Sequence, residues 1–383
     1  MAKFELIATA TFGLEEMVKL EVKQLGYEDV KVENGRVIFT ADEAAIPKTN
    51  LWLRTADRVL LKMGEFEARS FEELFQKTKA IPWEEWIPEN GKFPVIGKSV
   101  KSQLFSVPDC QAIVKKAVVE RLKSVYNVEW FQEDGPEYEI EVALLKDVVT
   151  LTIDTSGAGL HKRGYRAKAN EAPLKETLAA AMVMISRWRE DRVLIDPFCG
   201  SGTIAIEAAL IGRNMAPGLE RKFTAESWPR VPEQLWKEAR KEALKAIRQD
   251  VDIHILASDM DPKAIKIAEE NAYQAGVDDC ITFKVQDMAQ IASDGKYGYI
   301  ICNPPYGERL GEKKEVERLY KRMGQVFSKF DTWSMYVITS EEQFEALYGK
   351  KASKKRKLYN GRIKVDYYQF FGPKPPKEML GKG

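Results

Sequence analysis

Two short stretches of this chain carry residue types that can do chemistry together. Asn303-Pro304-Pro305-Tyr306 offers a side-chain amide, backbone carbonyls stiffened by two prolines, and an aromatic ring. About a hundred residues earlier, Asp196-Pro197-Phe198-Cys199-Gly200-Ser201-Gly202 follows the apolar run Val193-Leu194-Ile195 and opens a helical pattern over residues 203–210. That order predicts a buried strand, a tight turn and a helix. The glycines let the backbone come close to a ligand, and the helix start presents free N–H groups. Taken alone, the turn also fits a dinucleotide fingerprint with Ala205 in the third position, or a plain structural turn.

The carboxylates that follow narrow the reading. Residues 253–259 form a mostly apolar strand ending in Asp259, placed to accept hydrogen bonds from ribose hydroxyls, and Asp261-Pro262 opens the helix after it. A third strand over residues 281–286 ends in Asp287, an acceptor for an adenine amino group, and a fourth over 297–302 delivers Asn303. A single such Asp is usually a helix cap. Four strand ends in succession instead place polar groups along the carboxyl edge of one parallel sheet, where open α/β sheets bind ligands. The gap from Asp196 to Asp259 exceeds the roughly 20 residues of a compact Rossmann unit. Residues 212–250, with Ala216-Pro217-Gly218 and a helix over 232–248, read as an insertion that fills it. Glu220 fits the shorter spacing but sits in a polar loop, so Asp259 is preferred.

With these residues in hand, the chain resembles the class I S-adenosylmethionine-dependent amino methyltransferases. Leu160-His161-Lys162-Arg163-Gly164-Tyr165-Arg166, Ala172-Pro173-Leu174-Lys175-Glu176-Thr177 and the stretch 303–310 are similar to the THUMP-containing RNA guanine-N2 methyltransferases, whose bacterial members act on large-subunit ribosomal RNA. The likeness runs through essentially the whole chain. It implies an α/β fold: a class I Rossmann-like methyltransferase domain behind an N-terminal α+β half, ferredoxin-like plus THUMP, that binds RNA. It implies S-adenosylmethionine as cofactor, with Asp196, Phe198, Gly200, Gly202, Thr203, Asp259, Met260, Asp287 and Asn303 as its contacts. It also implies that residues 172–177 lie over the cofactor.

For catalysis the expectation rests on Asn303, Pro304, Pro305 and Tyr306. The Asn303 side-chain carbonyl and the Pro304 backbone carbonyl would accept the two N–H bonds of an exocyclic amine and turn its lone pair toward the methyl group. Pro305 fixes φ and cannot donate, and Tyr306 would stack on the base. Lys162, Arg163, Tyr165 and Arg166 are expected to contact RNA. Because Asn-Pro-Pro-Tyr is shared with adenine-N6 and protein-glutamine methyltransferases, an adenine-N6 enzyme on DNA or RNA is the alternative, and a non-catalytic RNA-binding assembly factor a further one.

Composition agrees with a cytoplasmic enzyme. A chain of 383 residues with 44% hydrophobic residues holds two or three domains with real cores. No run approaches about 18 apolar residues, and the amino terminus lacks a signal-peptide pattern, so no membrane partner is expected. Cys110, Cys199, Cys280 and Cys302 are widely spaced and only two histidines occur, which argues against a metal site or a disulfide frame. Cys199 and Cys302 are expected as buried packing rather than nucleophiles. His161 reads as a hinge or RNA contact rather than a general base, and His254 as structural. The net charge of +1 gives no global attraction for nucleic acid, so local patches must supply it. The run from Lys350 to Lys357, six basic residues in eight, reads as a solvated loop or a phosphate-binding segment.

The amino-terminal half reads as β (4–9), α (13–25), a hairpin around Asn34-Gly35, a helix over 42–56 interrupted near Pro47, and β (59–65), the order of a ferredoxin-like module. A helix over 70–78, a strand within 94–105, a helix over 108–126 and a hairpin around Lys146-Asp147 follow. The expected division is a ferredoxin-like module over 1–66, THUMP over 67–155, a linker over 156–170 and the methyltransferase domain over 171–383. Residues 367–371 are expected as core and sheet edge rather than a base-stacking platform. Sequence gives no oligomeric state.

Overall fold

Period-two alternation builds the first half of the protein. Leu6, Ala8, Val37, Phe39, Val59 and Leu61 turn to one large core, while Ile7, Ile38 and Leu60 between them form a small cluster on the opposite face. The structure, a computed structural model, describes residues 3–166, 174–306 and 313–376. In chain order the first elements are β1 (Phe4–Ala10), α1 (Glu15–Gln24), β2 (Val30–Glu33), β3 (Arg36–Ala41), α2 (Ala45–Trp52), β4 (Ala56–Glu67), α3 (Phe71–Lys79) and β5 (Val95–Val100). Next come α4 (Val107–Tyr126), β6 (Ile140–Leu145), β7 (Val148–Asp154), α5 (Glu176–Ser186), β8 (Leu194–Asp196), α6 (Thr203–Gly212), α7 (Glu233–Lys245) and β9 (Ile255–Asp259). The chain closes with α8 (Pro262–Gln274), β10 (Ile281–Val285), β11 (Tyr299–Cys302), α9 (Lys313–Phe327), β12 (Ser334–Thr339), α10 (Phe344–Tyr348), β13 (Lys354–Asn360) and β14 (Ile363–Phe370).

The chain divides into two compact units, one of residues 1–10, 18–160 and 222–242, the other of 11–17, 161–221 and 243–383. The first holds a seven-stranded sheet ordered β2-β3-β1-β4-β7-β6-β5, whose first four strands are the ferredoxin-like set. Lys146 and Asp147 both adopt left-handed φ, 52° and 67°, as a two-residue turn must to match the twist of β6 and β7. Helix α2 runs unbroken through Pro47, because that residue falls in its first turn where no intrahelical N–H is needed. Residues 222–242, expected within an unbroken carboxyl-terminal domain, pack in this first unit. Trp228 stacks on Tyr138 at 4.7 Å and donates its indole N–H to the Glu137 carbonyl at 2.8 Å.

The second unit is a doubly wound sheet ordered β10-β9-β8-β11-β12-β14-β13, parallel from β10 to β12 and antiparallel beyond. Helices α5, α6 and α8 supply Met182, Ile206 and Ala272 to the core on one face. Tyr320, Met323 and Phe327 of α9 serve the other. The chain leaves β8 for β9 on one side, and β11 joins β8 on the other. That reversal opens a crevice at the carboxyl ends of β8 and β11. The second half of the basic run 350–357, expected as a solvated loop or a phosphate-binding segment, begins edge strand β13, which is held in register by seven residue pairs with β14. Tyr367, Tyr368 and Phe370 are core, whereas Phe371 is 51% exposed. Among the described residues no helix is long and apolar enough to cross a membrane.

Candidate active site

A cavity of about 440 Å³ lies at that crevice, lined by Asp196, Phe198, Gly200, Thr203, Asp259, Met260, Asp287 and Asn303 among others. Strand ends and the glycine turn hold each other in place. Asp259 Oδ2 accepts the Gly200 N–H at 3.0 Å, Oδ1 accepts the Asp261 N–H at 3.0 Å, and the Asn271 amide donates to the Ser201 carbonyl at 3.0 Å. Gly202 caps α6 with φ of 82°, and a Cβ there would lie 3.0 Å from Ala268 Cβ. Asp287 is also engaged, accepting the Ala289 N–H at 2.8 Å and pairing with Arg322 at 2.9 Å. Gly202→Ala and Asp259→Ala should each weaken cofactor binding by roughly 1–3 kcal/mol, the scale of a local clash or a lost charged hydrogen bond, and leave the fold intact. Calorimetric titration checks this, and unchanged affinity in both would remove these residues from the site.

Asp196 is 1% exposed. Its Oδ1 accepts the Phe198 N–H at 3.2 Å, and its Oδ2 has no hydrogen-bond partner. Burial, with the Asp259 charge adding to it, pushes the carboxyl up to about 8, against the Phe198 bond that lowers it. An orphaned carboxylate oxygen in a cavity floored by a glycine turn suits a cationic ligand. Because the folded pKa lies above the unfolded one, the native state is favoured most below about pH 4 and loses that advantage as pH rises toward 8. Asp196→Asn should therefore stabilise the ligand-free protein at pH 8 by about 2–4 kcal/mol relative to pH 4, read by denaturant titration at both pH values. The same substitution should abolish a rise in cofactor affinity of up to tenfold per pH unit between pH 6 and 8. Affinity independent of pH in the parental protein would contradict this. Burial likewise pushes the Cys199 and Cys302 thiols well up, as suits packing groups rather than nucleophiles.

On the loop after β11, Asn303 is half-buried, Pro304 buried and Pro305 exposed. The Tyr306 hydroxyl donates to Asn303 Oδ1 at 2.5 Å, a contact the sequence reading did not anticipate. An amide oxygen has two acceptor positions, so one remains for a substrate N–H. The Pro305 carbonyl accepts from Tyr320 of α9 at 2.9 Å, and that hydroxyl also bonds Thr339 Oγ1 at 2.8 Å. The loop is thus pinned from α9 and β12. Residues 307–310 lie outside the described residues.

Of the expected RNA contacts, Lys162 is exposed, but Arg163 and Tyr165 are 3% and 4% exposed and face inward. Both bond Glu207 of α6, which is fully buried: Arg163 Nε and Nη2 at 3.2 and 3.3 Å, the Tyr165 hydroxyl at 3.2 Å. This corrects the expectation, since a buried carboxylate draws these donors into the core. Arg166 donates to Thr203 Oγ1 at 2.5 Å and pairs with Glu176 at 3.2 Å, so it braces the cavity wall. His161 is pushed down to about 4 by burial and by Lys175, Lys162, Arg163 and Arg221, and is neutral at ordinary pH. His254 is exposed, against Asp252 at 3.1 Å, rather than built into a strand. Residues 172 and 173, expected over the cofactor, lie outside the described residues, but Leu174 lines the cavity. Glu207 and Arg322 escaped the sequence reading, and Glu176 entered it only as part of the stretch 172–177, without its pairing to Arg166. Glu207 had a signal: it is the single charge in the ten-residue helix Thr203–Gly212.

The family model of the RMKL-like methyltransferase domain matches residues 163–369. This chain belongs to that family. Further models, of the RlmL ferredoxin-like domain and the THUMP domain, match residues 5–60 and 68–154. A Bacillus subtilis (strain 168) protein named "Putative RNA methyltransferase YpsC" is 56% identical over 379 residues, 98% of each chain. A crystal structure named for a "predicted N6-adenine-specific DNA methylase" of Listeria monocytogenes is 53% identical, covers 97% of each chain and superposes with a TM-score of 0.94. SMU.472, solved in complex with SAH, is 45% identical, with 98% of this chain and 100% of that one covered and a TM-score of 0.93. As an RMKL-like methyltransferase the protein is a class I S-adenosylmethionine-dependent enzyme, and the cavity described above suits that cofactor in charge and in backbone access.

Proposed function

We propose that this RMKL-like methyltransferase transfers a methyl group to the exocyclic N2 amine of a guanine in structured RNA, with large-subunit ribosomal RNA as the substrate class. The observation that carries the proposal is the joining of Asn303-Pro304-Pro305-Tyr306, beside the Asp196-to-Gly202 turn, to RlmL ferredoxin-like and THUMP modules on one chain. The name of YpsC supports RNA as the polymer. The division into residues 1–66, 67–155, 156–170 and 171–383 belongs to the same reading, with 222–242 assigned by its packing to the amino-terminal unit.

S-adenosylmethionine supplies an activated methyl group on a sulfonium. The protein must bind it and present the amine. Asp196 offers a buried carboxylate to the cationic end, Asp259 an acceptor for ribose hydroxyls, and Asp287 an acceptor at the adenine. Phe198 and Met260, the latter 70% exposed, offer apolar surface, while Gly200 and Thr203 on the cavity lining, with Gly202 in the turn between them, admit the chain of the cofactor. Asn303 Oδ1 and the Pro304 carbonyl accept the N–H bonds of the amine and aim its lone pair. Tyr306 stacks on the base and, through its hydroxyl, keeps the Asn303 amide oxygen turned to the substrate.

Tyr306→Ala should weaken productive base binding by roughly 1–3 kcal/mol, the value of one stack. Tyr306→Phe keeps the ring and should restore binding, while the lost hydroxyl bond slows the single-turnover step by about 1 kcal/mol, roughly fivefold. A Phe variant that binds as poorly as Ala would show that stacking is not what the ring provides.

The name of the Listeria structure and the shared Asn-Pro-Pro-Tyr motif favour adenine N6 as the second reading. Incubating the purified protein and methyl-labelled cofactor with unmodified ribosomal RNA transcribed in vitro, and separately with DNA, then digesting each to nucleosides to find the labelled base, distinguishes them. Label is expected in RNA; label in DNA alone would overturn the RNA reading.

A further inference from the structure

Between residues 346 and 365 the chain carries eight Lys or Arg and no Asp or Glu, in a protein whose net charge is only +1. Six of the eight, Lys350, Lys351, Lys354, Lys355, Arg356 and Lys357, lie on or just before the edge strand β13. Among the described residues only Lys355 of these six has a carboxylate within ion-pair reach, Asp366 at 3.5 Å. Charges on a free strand edge discourage edge-to-edge pairing. Six with a single neutralising carboxylate also build a local field that a polyanion would neutralise.

The position of this edge is fixed by strand register. Cys302 pairs with Val337, Val337 with Tyr368, and Tyr368 with Lys355, so one row crosses the sheet from the residue before Asn303 to the middle of the basic run. Three strand spacings amount to about 14 Å. An aromatic pair sits at the same edge: Phe12, 52% exposed, meets Tyr359 edge-on at 5.9 Å, and Arg356 donates to the Gly13 carbonyl at 3.4 Å. Basic side chains beside an exposed aromatic are the surface on which a nucleic-acid strand lays phosphates and a base.

We propose that the β13 edge, with Phe12, is an RNA-binding surface of the methyltransferase unit, contacting phosphates of nucleotides that flank the one in the cavity. The inference rests on the reading of the substrate as RNA and assigns which face of the catalytic unit holds it. Lys351, Lys354 and Lys357 are exposed and carry the interaction with phosphate; Phe12 adds a stacking contact.

The test is a salt series of binding to a fluorescently labelled stem-loop RNA by the full-length protein. The variant Lys351→Gln/Lys354→Gln/Lys357→Gln should bind roughly tenfold more weakly at 100 mM salt, and its log–log salt slope should be shallower by about two, since each single-strand phosphate contact contributes about 0.7. Phe12→Ala should lower affinity with the slope unchanged, because stacking releases no counterions. Cofactor affinity should be unaltered in both. Lys237→Gln/Lys241→Gln/Lys245→Gln on α7 removes as many charges elsewhere and should leave the slope as it was. If the β13 variant keeps the parental slope while the parent binds RNA, this surface is not the one used and the RNA reading stands. Equal losses in the α7 and β13 variants would reduce the effect to net charge and overturn the inference. A parental protein with no salt-dependent RNA binding would overturn the RNA reading and this inference with it.

Discussion

Asn303→Ala should lower single-turnover methylation by about 10²-fold or more while cofactor and RNA affinity stay within about twofold of parental. The asymmetry follows from where the residue sits. Asn303 is carried on the end of β11, adjacent to β8 in the sheet, and its Oδ1 is oriented by the Tyr306 hydroxyl. An exocyclic amine has its lone pair delocalised into the base, so acceptors that draw on its N–H bonds act as the nitrogen becomes nucleophilic rather than on the bound ground state. Asp196, Gly200 and Asp259, which line the cavity proposed for the cofactor, are left in place by the substitution. Rapid-quench turnover together with calorimetric titration checks this. A variant that methylates at the parental rate would remove the amine-orienting role.

The largest expected loss of stability comes from the buried pair of Arg163 and Glu207, at 2% and 0% side-chain exposure. Glu207→Leu takes the Glu207 carboxylate away from the buried Arg163 guanidinium and Tyr165 hydroxyl that donate to it. Arg163→Met leaves the carboxylate without its ion-pair partner. Each should cost about 3–5 kcal/mol, the scale of removing one partner of a buried ion pair. For a protein of this size that lowers Tm by roughly 10 °C. The double variant Arg163→Met/Glu207→Leu should recover much of the loss, since apolar groups of similar volume replace such pairs well. Thermal unfolding of the three variants measures it. Single variants within about 1 kcal/mol of parental would mean that water reaches the pair.

The layout of strand ends around the cavity was legible because it is written locally. Four of the five parallel strands run into Asp196, Asp259, Asp287 or Asn303, and the glycine turn declares itself by residue type. What escaped depends on partners distant in sequence. Arg163 and Tyr165 read as solvent-facing because the carboxylate that buries them lies 44 and 42 residues on. Residues 222–242 give an amphipathic helix in either unit, and only the fit of Trp228 against Tyr138 decides which. The β13 strand hid because five of its seven residues are neither apolar nor alternating, and its conformation comes from pairing with β14. Tyr306 was read for its ring alone, since no spacing rule foretells a hydroxyl bonding a neighbour three residues back.

The central claim is the identity of the methylated atom. Large-subunit ribosomal RNA from a strain lacking this gene, digested to nucleosides and analysed by mass spectrometry, tests it most directly. A loss of N2-methylguanosine is expected, which the parental gene restores and the Asn303→Ala gene does not. Undiminished N2-methylguanosine with a loss of N6-methyladenosine would contradict it.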